Sequence, residues 1–169
     1  MGIPVNLFHT SSIATAKKGH ITSMDLRAVK GYLGIGMVPV LGGDVVYDTE
    51  MGFSIGSGDQ VAVILAKELG ATDLVFATDV AGVYDSDPKS VPGARLIHDL
   101  RPSQLEELIS AAGGKSDACG ALKGKLLSLS TLEPNLAQGL RLTIMSMMKP
   151  GKLSALLRGS AIEATQIRP

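Results

Sequence analysis

Gly42-Gly43-Asp44 closes an apolar run in PVLGGDVVYD, residues 39–48. Glycine lets a backbone approach a ligand closely, so Gly42, Gly43 and Asp44 are candidate substrate-binding residues. The same residues also suit a tight turn before a hairpin. In IGSGDQVAVILAKELG, residues 55–70, Asp59 falls in the first turn of an expected helix. The helix dipole favours a carboxylate there, and an acid near strand ends can orient lysines that hold phosphates. A plain helix start reads equally well.

FATDVAGVYDSDP, residues 76–88, ends a strand in Thr78-Asp79 and follows it with a turn at Gly82. Thr78 and Asp79 can bind a nucleotide or magnesium, or simply hydrogen-bond their own backbone. DACGALKGKLLSL, residues 117–129, places Gly120, Lys123 and Lys125 at a helix start. Backbone N–H groups there favour an anion. The two lysines lie two apart and cannot share one helix face, so at most one meets a bound phosphate. The spacing is not that of a P-loop. There is no G-x-S-x-G elbow. His9, His20 and His98 are scattered, Cys119 has no evident partner, and no metal site is expected.

Composition narrows the remaining choices. A length of 169 residues suits one domain able to bury a core. Sixteen basic and sixteen acidic residues cancel, which argues against nucleic acid or an anionic membrane surface as partner. A single cysteine excludes an internal disulfide framework and fits a reducing, cytoplasmic setting. The apolar run Val61–Ala66 is too short to span a bilayer. Residues 1–12 lack a signal pattern, and Asn6 stands where a myristoylation start wants serine or threonine. Abundant glycine, few aromatics and no tryptophan fit α/β packing with tight turns.

The elements that must position these segments follow from apolar periodicity and breakers. Ile3–Phe8 and Met37–Leu41 read as buried strands, with a helix from about Ser23 to Leu33 between them. Val45–Asp48 and Phe53–Ile55 form a hairpin. A helix runs from Ser57 to Gly70. Asp73–Thr78 is a strand, and Arg95–His98 a short one. Helices are expected over 102–112 and 120–132, the latter ended by Pro134. Leu142–Met145 is a strand, Gly151–Leu157 a short helix, and Ala164–Ile167 a last strand. Strands alternating with helices imply an α/β, three-layer αβα sandwich around a largely parallel sheet. Ligands in such sheets sit at the carboxyl ends of strands, where Gly42–Asp44 and Thr78-Asp79 lie. No boundary between two domains stands out, and residues 1–169 read as a single domain.

Taken in order, PVLGGDVVYD, GFSIGSGDQVAVILAKELG, FATDVAGVYDSDPKSVPGARLI and DACGALKGKL resemble the amino acid kinase family, and within it the isopentenyl phosphate kinase branch. The tail IMSMMKPGKLSALLRGSAIEATQI is also similar to that of bacterial uridylate kinases, of the same family. The resemblance implies ATP and Mg²⁺, and transfer of the ATP γ-phosphoryl group to isopentenyl phosphate, giving isopentenyl diphosphate. It implies that Gly43 approaches the acceptor phosphate, that Asp59 organises active-site lysines, that Asp79 and Gly120 line the ATP site, and that Lys125 reaches the ATP phosphates.

Members of the family carry a further N-terminal half with a glycine-rich loop, a phosphate-binding lysine and, in this branch, a substrate-contacting histidine. The resemblance therefore implies the nucleotide-binding C-terminal half plus the edge of the acceptor site, incomplete at the N-terminus, with a partner chain supplying the N-terminal half, or a homo-oligomer, as possible company. An apolar strand edge and face would then be exposed, and self-association is expected. Ala81, Cys119, Ala121, Ser146-Met147 and Ala164 depart from the family pattern. They motivate a second reading, a non-catalytic nucleotide-binding remnant or half of a split kinase. A third keeps the chemistry and changes the acceptor, for example to uridylate.

Overall fold

The computed structural model describes residues 2–104, 107, 129 and 131–168. They fall into two compact units, Met1–Gly70 and Ala71–Pro169. Both are mixed α/β, and their sheets are rich in parallel pairs.

In the first unit, β1 (Val5–Leu7) pairs in parallel with β4 (Val38–Val40). Helix α2 (Arg27–Gly34) packs on β4, and the Phe8 and Tyr32 rings meet edge to face at 5.7 Å. Between them lie a short helix α1 (Thr10–Ile13) and the strands β2 (Ala14–Lys17) and β3 (His20–Met24). Together with β5 (Asp44–Asp48) and β6 (Gly52–Gly56) these strands form a sheet of order β3-β2-β5-β6. Ala14, Ala16 and Val46 face inward, with Ile21 and Met24 packed against them. Helix α3 (Gly58–Glu68) follows. Val61, Val63 and Ala66 are the buried residues of this helix.

The second unit holds β7 (Asp73–Thr78), β8 (Asp99–Leu100), α4 (Glu133–Ala137), β9 (Arg141–Ser146), α5 (Lys152–Leu157) and β10 (Ala164–Ile167). The sheet order is β7-β9-β10-β8. After Arg141 every residue of β9 is buried, the near-continuous apolar pattern of an inner strand covered on both faces. Arg141 donates to both carboxylate oxygens of Asp73, at 2.7 and 2.8 Å, and these two residues are direct partners in the β7–β9 register.

Several expectations are corrected here. The strand expected over 95–98 is displaced to Asp99–Leu100, because the Ile97 carbonyl is taken by the Thr165 hydroxyl and the ladder with β10 starts only at His98. Pro134 starts α4 rather than ending a helix, at a first-turn position where its missing N–H costs no bond. Of the helices expected over 102–112 and 120–132, residues 102–104, 107 and 129 are helical, and most of the remainder lies outside the described residues.

The strands β1 and β4 are not buried: Val5, Leu7, Val38 and Val40, cross-strand neighbours on one face, are all exposed. On the outer face of the β5–β6 hairpin, Phe53 and Ile55 are 69% and 74% exposed beside Tyr47 and Val45. Apolar faces of this kind associate. The chain is expected to scatter light as a concentration-dependent oligomer, and a clean monomer at high concentration would count against this. Among the described residues no helix is long and apolar enough to cross a membrane.

Candidate functional site

The β4–β5 turn carries Gly42 and Gly43 on the surface and Asp44 half-buried. Thr10 donates its hydroxyl to the Gly42 carbonyl at 2.7 Å, fixing the turn against α1. Asp44 accepts from the Ser11 N–H at 3.0 Å and from the Val45 N–H at 2.8 Å. The bonds from Ser11 chiefly, then that from Val45 and the nearby His9, hold the Asp44 carboxyl below its ordinary pKa. Asp44 thus stays ionised and shapes the turn.

Gly43 stands close to the start of α3. A Cβ at Gly43 would lie 3.2 Å from both the Gly56 carbonyl oxygen and the Gly58 nitrogen. Ser57 caps the helix by accepting from the Gln60 N–H at 3.2 Å, and Asp59 sits half-buried in the first turn. A glycine turn against a helix N-terminus is suited to an anion, since its amides can point at the charge.

Gln60 is a residue that sequence reasoning missed. Ser57-x-x-Gln60 has the spacing of a capping box. The Gln60 side chain instead leaves its own helix, accepting from the Ile21 N–H at 2.9 Å and donating to the Gly19 carbonyl at 3.2 Å. It therefore ties the Asp59 turn to the β2–β3 hairpin.

In the second unit Thr78 and Asp79 stand at the carboxyl end of β7. The Thr78 hydroxyl bonds both ways with the Val80 backbone, accepting at 3.0 Å and donating at 3.2 Å. Asp79 is exposed and receives the Lys89 ammonium at 2.6 Å. That bond is the main cause of the lowered Asp79 pKa and of the raised Lys89 pKa. Asp87 accepts from the Lys89 N–H and the Ser90 hydroxyl, and Asp85 from the Arg95 N–H, so both acids shape the loop rather than await a ligand. Gly82 is buried. Gly120 and Lys125, with Cys119 and Ala121, lie outside the described residues.

Because Lys89 depresses Asp79, Lys89→Met should move the Asp79 pKa upward toward the ordinary value of about 3.9. A carboxyl-detected NMR titration reads this directly. Stability should hardly change, since both groups are more than half exposed and water screens the pair.

The residues present suit ATP in one respect: Lys89 places a cation at the β7 carboxyl end, where it can turn to a phosphate. Among the described residues no group of three or more His, Cys, Asp or Glu side chains is placed to hold a metal.

Comparison with known proteins bears on both units. A model of the amino acid kinase family matches residues 1–144. Isopentenyl phosphate kinase of Methanothermobacter thermautotrophicus is 34% identical over 98% of this chain and 62% of its own length. Uridylate kinase of Thermococcus gammatolerans is 35% identical over 58% of this chain and 40% of its own. Among solved structures, an X-ray structure of isopentenyl phosphate kinase matches with a TM-score of 0.79 at 30% identity, over 98% of this chain and 59% of that one. The chain spans about three fifths of the length of such relatives.

Proposed function

The chain belongs to the amino acid kinase family, and from that premise we propose that it serves ATP-dependent phosphorylation of isopentenyl phosphate to isopentenyl diphosphate. An oxygen of the acceptor phosphate attacks the γ-phosphorus, the bond from that phosphorus to the bridging oxygen of ADP breaks, and ADP leaves. Such transfer needs positioning and charge neutralisation more than covalent help from the protein. Residues 1–169 would act as one domain, the nucleotide-binding half together with the edge of the acceptor site, in the cytoplasm.

The observation that carries this reading is the approach of Gly43 to Gly56 and Gly58, in a chain whose likeness to isopentenyl phosphate kinases runs nearly end to end. Gly42 and Gly43 would offer backbone to the acceptor phosphate, with Asp44 setting their turn. Asp59 would organise active-site lysines, and Lys125 would reach the ATP phosphates. Thr78, Asp79, Gly82 and Gly120 would form the nucleotide side. The likeness to a uridylate kinase favours, as second reading, the same chemistry on another phosphorylated acceptor.

The test is ADP release by the purified chain with ATP and Mg²⁺, alone and with isopentenyl phosphate or uridylate. Release that depends on isopentenyl phosphate supports the reading, and release only with uridylate replaces its acceptor. No release with either, while ATP is bound, turns the assignment to a nucleotide-binding role.

A further inference from the structure

Thr165 is fully buried in β10 and uses its hydroxyl twice. It accepts from the Val83 N–H at 2.8 Å and donates to the Ile97 carbonyl at 2.6 Å. Val83 and Ile97 are also joined to each other, the Ile97 N–H donating to the Val83 carbonyl at 2.8 Å. One side chain on the sheet thus completes the polar pairing of two loop strands that meet again at the Tyr84–Leu96 bridge. Without it, a buried N–H and a part-buried C=O would lose their partners.

The consequence lies just upstream. Thr78 is fixed in register opposite Ser146, and its carbonyl accepts from the Met147 N–H at 3.2 Å. Val83 is fixed by Thr165. Residues 79–82 run between these two anchors. Gly82 lies so tight on β10 that a Cβ there would come 2.4 Å from the Thr165 hydroxyl and 2.8 Å from the Thr165 nitrogen.

We infer that Thr165 is a positioning residue for nucleotide binding: by holding Val83 it sets the path of residues 79–82 and so the placement of Asp79 and its neighbours against the nucleotide phosphates. The inference rests on the nucleotide-binding reading above. It also gives Gly82 a packing task, which is to let the loop lie against β10. Nothing in the local sequence points to this, because the partners are 82 and 68 residues apart.

The experiment is calorimetric titration of the full chain with a non-hydrolysable ATP analogue and Mg²⁺, for wild type, Thr165→Val and Thr165→Ser. Valine keeps the shape and deletes the hydroxyl, while serine keeps the hydroxyl. Binding by Thr165→Val should be roughly tenfold weaker, within the range by which residues that do not touch a ligand alter its binding, and Thr165→Ser should bind close to wild type. A parallel readout is amide exchange in the wild type, where the analogue should slow exchange at Val83. Should Thr165→Val fail to fold, that readout decides, and an unchanged Val83 rate during measured binding overturns the inference. Equal affinity of wild type and Thr165→Val overturns it too, leaving the nucleotide reading standing. No binding by the wild type overturns both.

Discussion

Asp48→Ala should unfold the first unit more readily than any surface substitution, with a fall in melting temperature of roughly 10 °C. Asp48 ends β5, is buried, and accepts backbone N–H bonds from two different turns. Lys18 and Glu50 reach it at 3.1 and 3.0 Å, Gly19 and Met51 at 2.8 and 3.0 Å. Alanine would leave four donors short of an acceptor, and unmet buried donors cost more than the bond itself contributes. Asparagine should be intermediate: its one amide oxygen can keep the cluster of three at one carboxylate oxygen, but its NH₂ would face the Gly19 N–H.

The pH dependence follows from the sign of the shift. Burial pushes the Asp48 carboxyl up, but the N–H groups of Gly19, Glu50 and Met51 outweigh it and hold the pKa well below the ordinary carboxylate value. A depressed folded-state pKa means that the contribution is full above the unfolded value, about 3.9, and fades as pH falls below it. The gap between wild type and Asp48→Ala in thermal melts should therefore be wide at pH 7 and narrow under acid. A gap unchanged down to pH 2 would show that the carboxylate charge is not what holds the turns.

The strands whose limits were legible in the sequence are those bounded by breakers. The runs 73–78 and 164–167 stand in the structure with the expected ends, and the hairpin at 45–55 was readable from alternation. The β2–β3 hairpin was not readable, because its turn is Lys18-Gly19 with Lys18 at a φ of 51°, where asparagine or glycine gives the usual signal. The candidate site divides in the same way. Gly42–Asp44, Asp59 and Thr78–Gly82 lie at the turns and helix start that local patterns foretell. What those patterns cannot carry is tertiary partnership. Asp44 is committed to Ser11, Asp79 to Lys89, Gln60 to a hairpin 39 residues away, and Asp48 to turns on two strands. Burial of β1 and β4 was also beyond reach, since an apolar strand states that it prefers cover but not what covers it.

Gly82→Ala should destabilise the second unit by about 1–3 kcal/mol, the usual range for overpacking a tight site, read by urea unfolding. Its new methyl would meet the Thr165 hydroxyl, the Thr165 nitrogen and, at 3.0 Å, the Leu96 side chain. Two of the three contacts sit on β10, a strand held between β9 and β8, with Thr165 in register with Ile144 of β9. The loop must therefore move, and Val83, buried beside it, moves with it. Gly42→Ala is the informative contrast. A Cβ at Gly42 meets nothing within 4 Å and its φ is not left-handed, so stability should stay within about 0.5 kcal/mol of wild type. The two substitutions separate packing from recognition. Loss of ATP affinity in Gly82→Ala would follow from a displaced loop, and its effect should be non-additive with that of Thr165→Ala, which removes the hydroxyl that the new methyl meets. Loss of acceptor affinity in a fully stable Gly42→Ala could come only from a backbone that a ligand must approach. If Gly82→Ala is instead as stable as wild type, the loop is free to leave β10, and Thr165 cannot be what holds it.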